Sequence, residues 1–202
     1  MAEEEKSTEK LILDAARKVF LEKGFDGARM QNIADEAGIN KALVHYYFRS
    51  KEKLFDAIFL EVFSGFFPKV SEIMFSDIVF EKKIELFVDK YIDMLTANPF
   101  LPIFMLHEMH RNPEKVVQLM KKTGLNPGKY IGQLAVNIPG QSETIDMRHF
   151  IVNLLGLCVF PFVARPIITG MLFNNDDKEM AKFLSQRKAI VTEVLIKSIK
   201  AT

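Results

Sequence analysis

Apolar residues recur at intervals of three and four along almost the whole 202-residue chain, and that rhythm limits the fold more than any other feature. Leu11, Ile12, Ala15, Ala16, Val19 and Phe20 share one face of a helix, which Ser7 or Thr8 can cap and Gly24 can end. A second, short helix fits Met30–Ala37, with Ile33, Ala34 and Ala37 inward and Gly38 supplying the turn. Asn40 reads as the N-cap of a third helix over Lys41–Phe48, and Ser50 as the cap of a fourth. That fourth helix carries Leu54, Phe55, Ile58, Phe59, Val62 and Phe63 as a wide apolar stripe.

After Pro68 the chain turns toward Phe, Met and Ile. Ile84, Phe87, Val88, Tyr91, Ile92 and Leu95 make the cleanest amphipathic pattern. "NPFLPIFMLHEMHRNP" restarts a helix after Pro99, and "PEKVVQLMKK" opens another with Pro at its first position. The rhythm breaks down over Gly124–Gly140 and returns in two long helices, about 143–164 and 176–200. Alternating β-branched runs are few. The fold class expected is therefore all-α, with a small N-terminal helical unit (1–53) before a larger helical domain (54–202). With 49% apolar residues, 18 Phe, 10 Met and no Trp, the interior is soft and adaptable.

Charge is distributed less evenly than the net +1 suggests. Residues 1–60 hold ten cations against eleven anions, yet Lys41, Arg49, Lys51 and Lys53 face only Glu52 within residues 41–53. That local positive patch surrounds His45, Tyr46, Tyr47 and Phe48. Two short helices joined at Gly38, with small Ala34 and Ala37 near the crossing, satisfy a helix-turn-helix. In such units the second helix enters the DNA major groove by its N-terminal end while flanking groups hold phosphates. Lys41, His45, Tyr46 and Tyr47 lie on that helix, and Phe48 fits the core.

Over Leu13–Ile58 the chain resembles the DNA-binding domain of TetR-family transcriptional regulators. The resemblance rests on "AARKVFLEKGF" in the first helix, "IADEAGI" at the turn and "KALVHYYFRSKEKL" across the third and fourth. It implies that Lys41, Ala42, Leu43, His45 and Tyr47 supply groove and backbone contacts. It also implies that Lys51 binds phosphate and that Gln31 reaches DNA from the second helix. Where the family commonly has Gly-Thr followed by Leu-Tyr, this chain has Ala42, Leu43, Val44 and His45. A Thr hydroxyl contact is lost there, and Leu43 can meet a thymine methyl instead.

The rest of the chain matches only the family's general plan, a helical ligand-binding domain whose last two long helices dimerise. Phe66, Phe87, Tyr91, Phe104, Met105, His107, Glu108, Phe150 and Phe160 are the candidates to line a site for a small, apolar effector. Plain core packing is the competing account of each apolar member. On the last helix Met180, Phe183, Leu184, Ile190, Val191, Val194, Leu195 and Ile199 form too long a stripe for one small core. "FIVNLLGLCVFPFVA" is apolar nearly all round. Packing helices 143–164 and 176–200 against their copies gives an isologous homodimer. Its two reading heads would lie about one DNA turn apart, roughly 34–36 Å, or a multiple of that, on a pseudopalindromic operator.

Several function classes drop out. His107 and His110 are three apart, not at the H-E-x-x-H spacing, with no third ligand cluster among four histidines. Neither a metal nor a cofactor is expected. Cys158 lies in an apolar run that disfavours a thiolate, no glycine-rich phosphate loop is present, and an enzyme is not expected. The acidic start "MAEEEKSTEK" reads as no signal peptide. The apolar run 150–164 would span about 22 Å as a helix, short of a ~30 Å hydrocarbon core. A cytoplasmic protein without a membrane partner is expected, consistent with one unpaired cysteine. The reading that results is a ligand-responsive, homodimeric DNA-binding regulator, a repressor released by a lipophilic effector. The alternative is a helical interaction or lipid-carrying protein that keeps the helix-turn-helix head.

Overall fold

A computed structural model describes residues 2–136 and 146–200. Every regular element among them is a helix, in the order α1 (Ala2–Gly27), α2 (Met30–Ala37), α3 (Lys41–Tyr47), α4 (Lys51–Phe75), α5 (Phe80–Ala97), α6 (Leu101–Arg111), α7 (Pro113–Lys122), α8 (Pro127–Val136), α9 (Met147–Val163), α10 (Arg165–Leu172) and α11 (Asp177–Lys200). By packing the chain forms two compact units, one of residues 1–65 with 98–123, the other of 66–97 with 124–202. The cut expected after residue 53 concerns function. By contact the first unit also takes in α6 and α7.

In the first unit Ile12, Ala15, Ala16, Val19 and Phe20 of α1 are buried, whereas Leu11 is 46% exposed. The helix already runs from Ala2, so Ser7 and Thr8 lie inside it instead of capping it. Gly24 breaks it as expected, at φ 66°, in the left-handed region that only glycine enters freely. Phe20, Phe25, Phe55, Phe100 and Phe104 pack as one aromatic cluster, with Phe25 and Phe104 edge-on at 4.4 Å between centroids. Beside it, Lys115 of α7 pairs with Asp56 of α4 at 2.7 Å and Glu108 of α6 at 3.3 Å. Burial disfavours the Lys115 charge, but the two carboxylates outweigh it and hold the ammonium pKa above its ordinary value.

The second unit is built on α5, α9 and α11, which pack on one another. Lys188 of α11 bridges Asp89 and Asp93 of α5 at 2.7 and 2.6 Å. Two cations held by backbone carbonyls are not expected from the sequence pattern. Lys83 is fully enclosed, and its Nζ donates to the Met74 carbonyl at 2.9 Å, a cation closing the C-terminal end of α4. Arg187 donates Nη2 to the Leu157 carbonyl at 3.0 Å. Four residues after Leu157 stands Pro161, which has no N–H to give that carbonyl. Arg187 thus fills the gap that the proline opens in α9.

Prolines set the remaining differences from the expected elements. α4 passes through Pro68 to Phe75. α9 starts at Met147 with the Asp146 carboxylate accepting from Arg148 N at 2.9 Å. Of the helix expected from 143, residues 143–145 lie outside those described. Pro166 sits in the first turn of a further helix, α10, that the sequence pattern did not single out. α9 and α10 meet at a bend of 70°, and no single helix among the described residues is long and apolar enough to cross a membrane. α8 occupies part of the segment where periodicity broke down.

The caps make a direct prediction. Asn40 accepts the Leu43 N–H at 2.7 Å at the start of α3, so Asn40→Ala should lower stability by about 1 kcal/mol. Urea denaturation followed by circular dichroism measures it.

Candidate nucleic-acid interface

The reading head begins with backbone geometry. Ile33, Ala34 and Ala37 bury the inner face of α2, and Gly38 at φ 67° reverses the chain. Gly38 N donates to Asp35 O at 3.2 Å and Ile39 N to Ala34 O at 3.1 Å, closing the last carbonyls of α2. At the other end of α2, Asn32 Oδ1 accepts the Arg29 N–H at 3.2 Å. Asn40 then starts α3 two residues past the glycine. The angle between the two helices is therefore fixed by one left-handed residue and two small side chains.

Only Val44 of α3 is buried, and Phe48, which ends the helix, is buried after it. Lys41, Ala42, His45 and Tyr46 are exposed, Tyr46 at 73%, while Leu43 and Tyr47 are half-buried. Tyr46 and Tyr47 meet edge-on at 5.4 Å. Gln31 is exposed on α2, donating Nε2 to Asp35 Oδ1 at 2.7 Å. The structure thus brings Gln31 and the α3 candidates onto one head, with Arg49 and Lys53 exposed beside them. These groups offer cations for phosphates and mixed polar and apolar tips for base edges.

Lys51 has a further engagement. Its Nζ donates to the Phe25 carbonyl at 2.7 Å and lies over the Phe25 ring, 4.3 Å from the centroid. It holds the start of α4 against the end of α1. An ammonium carries three donors, so it can keep that bond and still meet a phosphate.

The nine effector candidates are not gathered in one place. Phe66, Phe87 and Tyr91 form a triangle of rings in the second unit, with centroids 5.5 to 6.1 Å apart. Phe150 packs on Phe80 in the same unit at 5.8 Å. Phe104 belongs to the aromatic cluster of the first unit, where Met105 and Glu108 are also buried. His107 is exposed, 3.8 Å from Asp26, and Phe160 is 64% exposed on α9. Burial pushes the Cys158 thiol up to about 12 despite the nearby Arg187 cation, so it stays protonated and poorly nucleophilic. Arg187 belongs to no motif of the sequence. Its signal is the row Met180, Leu184, Arg187, Val191, Leu195, which places it on the buried side of α11.

Residues 12–58 match the family model of bacterial regulatory proteins of the tetR family. Over 174 residues, 83% of each chain, the protein is 28% identical to the probable HTH-type transcriptional regulator YttP of Bacillus subtilis. It is 25% identical over 114 residues to the fatty acid metabolism regulator protein of the same organism, covering 54% of this chain and 59% of that one. Its fold is shared with the transcriptional regulator FadR of Bacillus subtilis, solved in complex with stearoyl-CoA. There the TM-score is 0.67 at 21% identity, covering 92% of this chain and 96% of that one. The head, residues 12–58, is thus that of the tetR family of bacterial regulatory proteins, and the whole chain is similar in sequence and in its all-helical fold to bacterial transcriptional regulators.

Proposed function

We propose that the protein is a homodimeric repressor that reads a pseudopalindromic operator with α3 and leaves it when a small lipophilic effector binds the second unit. The observation that carries the DNA reading is the face of α3, where Lys41, Ala42, His45 and Tyr46 are all exposed while Val44 alone anchors the helix. Leu43, Tyr47 and Gln31 flank the contact, and Lys51, Arg49 and Lys53 serve the phosphates.

Dimerisation is supported by apolar side chains left open on α9 and α11. Val152 and Leu155 join Phe160 on the first helix, and Ile190 and Val194 stand on the second. Such side chains, if they form one patch, are what an interface between copies would cover. The effector reading is supported by the Phe66, Phe87 and Tyr91 rings and by relatives whose names refer to fatty acid metabolism and stearoyl-CoA. Helix α4 contributes residues to both units and contains Pro68, whose missing N–H weakens the helix locally. Differential affinity of the effector for two arrangements of α4 would change the separation of the heads.

Selection from a randomised DNA duplex pool tests the reading. An enriched inverted repeat is expected. No enrichment at low salt, from folded and ligand-free protein, rejects it. On the selected operator, His45→Ala should cost about 1–3 kcal/mol and relax preference at one position. Arg49→Ala should weaken binding to all sequences alike and reduce the salt slope by about one. Gel-shift titrations over a salt series separate the two effects, and equal losses on every sequence from both changes would contradict the roles assigned.

A further inference from the structure

The α5–α9–α11 core of the second unit contains a polar layer. Tyr91 of α5, Cys158 of α9 and Arg187 of α11 lie on faces that these helices turn toward one another. Tyr91 is only 9% exposed, and Cys158 is 1% exposed. Arg187 is half-buried, with Nη2 on the Leu157 carbonyl next to Cys158. Its Nε is buried and has no hydrogen-bond partner.

A guanidinium remains charged under all physiological conditions, and charges inside proteins are ordinarily paired. No carboxylate among the described residues forms an ion pair with Arg187. Asp89 and Asp93, the acids that α5 presents to α11, are both taken by Lys188. Cys158 cannot supply the missing anion, because burial keeps its thiol protonated. Tyr91 cannot either. Burial first, and then the proximity of Cys158, push its ionisation upward, so it stays a neutral phenol. The layer therefore holds a cation answered by a neutral carbonyl and by the Phe183 ring, 5.8 Å from the guanidinium carbon, with no anion among its partners. Lys83, another cation of the second unit on a backbone carbonyl, differs in closing the carbonyl end of α4.

Apolar surface adjoins this layer. The Phe66 and Phe87 rings each lie 5.5 Å from the Tyr91 ring. A planar, forked donor suits the two oxygens of a carboxylate or a phosphate.

We propose that Arg187, with the Tyr91 hydroxyl as a second donor, anchors the anionic group of an effector whose apolar body lies against Phe66 and Phe87. The inference rests on the effector-responsive reading above and narrows it to acidic amphiphiles.

Calorimetric titration of the full-length, delipidated protein with dodecanoate, dodecan-1-ol and dodecanoyl-CoA tests it. Dodecanoate or the thioester should bind wild-type protein at least about tenfold more tightly than the alcohol, the scale of a hydrogen bond to a charged group. Arg187→Met should remove that advantage while leaving the alcohol unaffected. Preference for the free acid assigns a carboxylate to the anchor, and preference for the thioester assigns a phosphate of the carrier. Equal affinity of acid, thioester and alcohol would overturn the anchor yet leave a lipophilic effector standing. Failure of all three to bind would overturn both, without touching DNA recognition. Should Arg187→Met not fold by circular dichroism, the comparison of anionic and neutral probes on wild-type protein decides the matter alone.

Discussion

Phe55→Ala should unfold the first unit under conditions where the wild-type protein is folded. The side chain is fully buried, stacked on Phe104 and in contact with Phe20, Phe25 and Phe100. Removing a ring from such a site costs about 3–5 kcal/mol, because the neighbours close only part of the cavity. Domain stabilities are only about 5–15 kcal/mol in total. Operator binding should disappear with the fold, since α3 packs on α2, which in turn packs on α1. Tyr46→Ala is the matched control. That ring is largely in solvent, so its loss should change stability by no more than about 0.5 kcal/mol while weakening DNA binding. Denaturant titrations of the two variants would contradict the packing account if their midpoints fell together.

The double change Phe160→Asp with Val194→Asp should give a folded monomer. Both side chains are exposed in the single chain, at 64% and 46%, so neither change removes internal packing. In an isologous interface each substitution occurs twice, placing four carboxylates in an apolar contact. Sedimentation velocity should show half the wild-type mass with an unchanged helical circular dichroism spectrum. Affinity for a two-half-site operator should then fall by about 10²–10⁴, the gain that linking two heads supplies. A variant that stays dimeric would remove α9 and α11 from the interface. A monomer that still binds the full operator at wild-type strength would remove the two-head mechanism.

The reading head is almost wholly legible in the sequence. Ile33, Ala34 and Ala37 inward, Gly38 at the turn, Asn40 as cap and Phe48 in the core all follow from local rules, and each appears as expected. Short helices with strong stop signals leave the chain few alternatives. The effector candidates differ. Phe66, Phe87 and Tyr91 come together, whereas Phe104, Met105 and Glu108 are buried in the other unit. A Phe that lines a site and a Phe that fills a core have the same hydrophobicity and the same period. Which helix lies opposite determines the difference, and no local pattern records that.

By itself, then, the sequence determined the helical class, the helix-turn-helix and the exposed face of α3, because caps, glycine turns and helical periodicity act over a few residues. Tertiary structure alone decided where the long-range polar groups went. Lys115 of α7 meets Asp56 of α4, Lys83 closes α4, and Arg187 reaches the carbonyl that Pro161 leaves unpaired. Burying a charge is favourable only if a partner arrives from another helix. That arrival depends on how helices distant in sequence pack, which local periodicity does not encode.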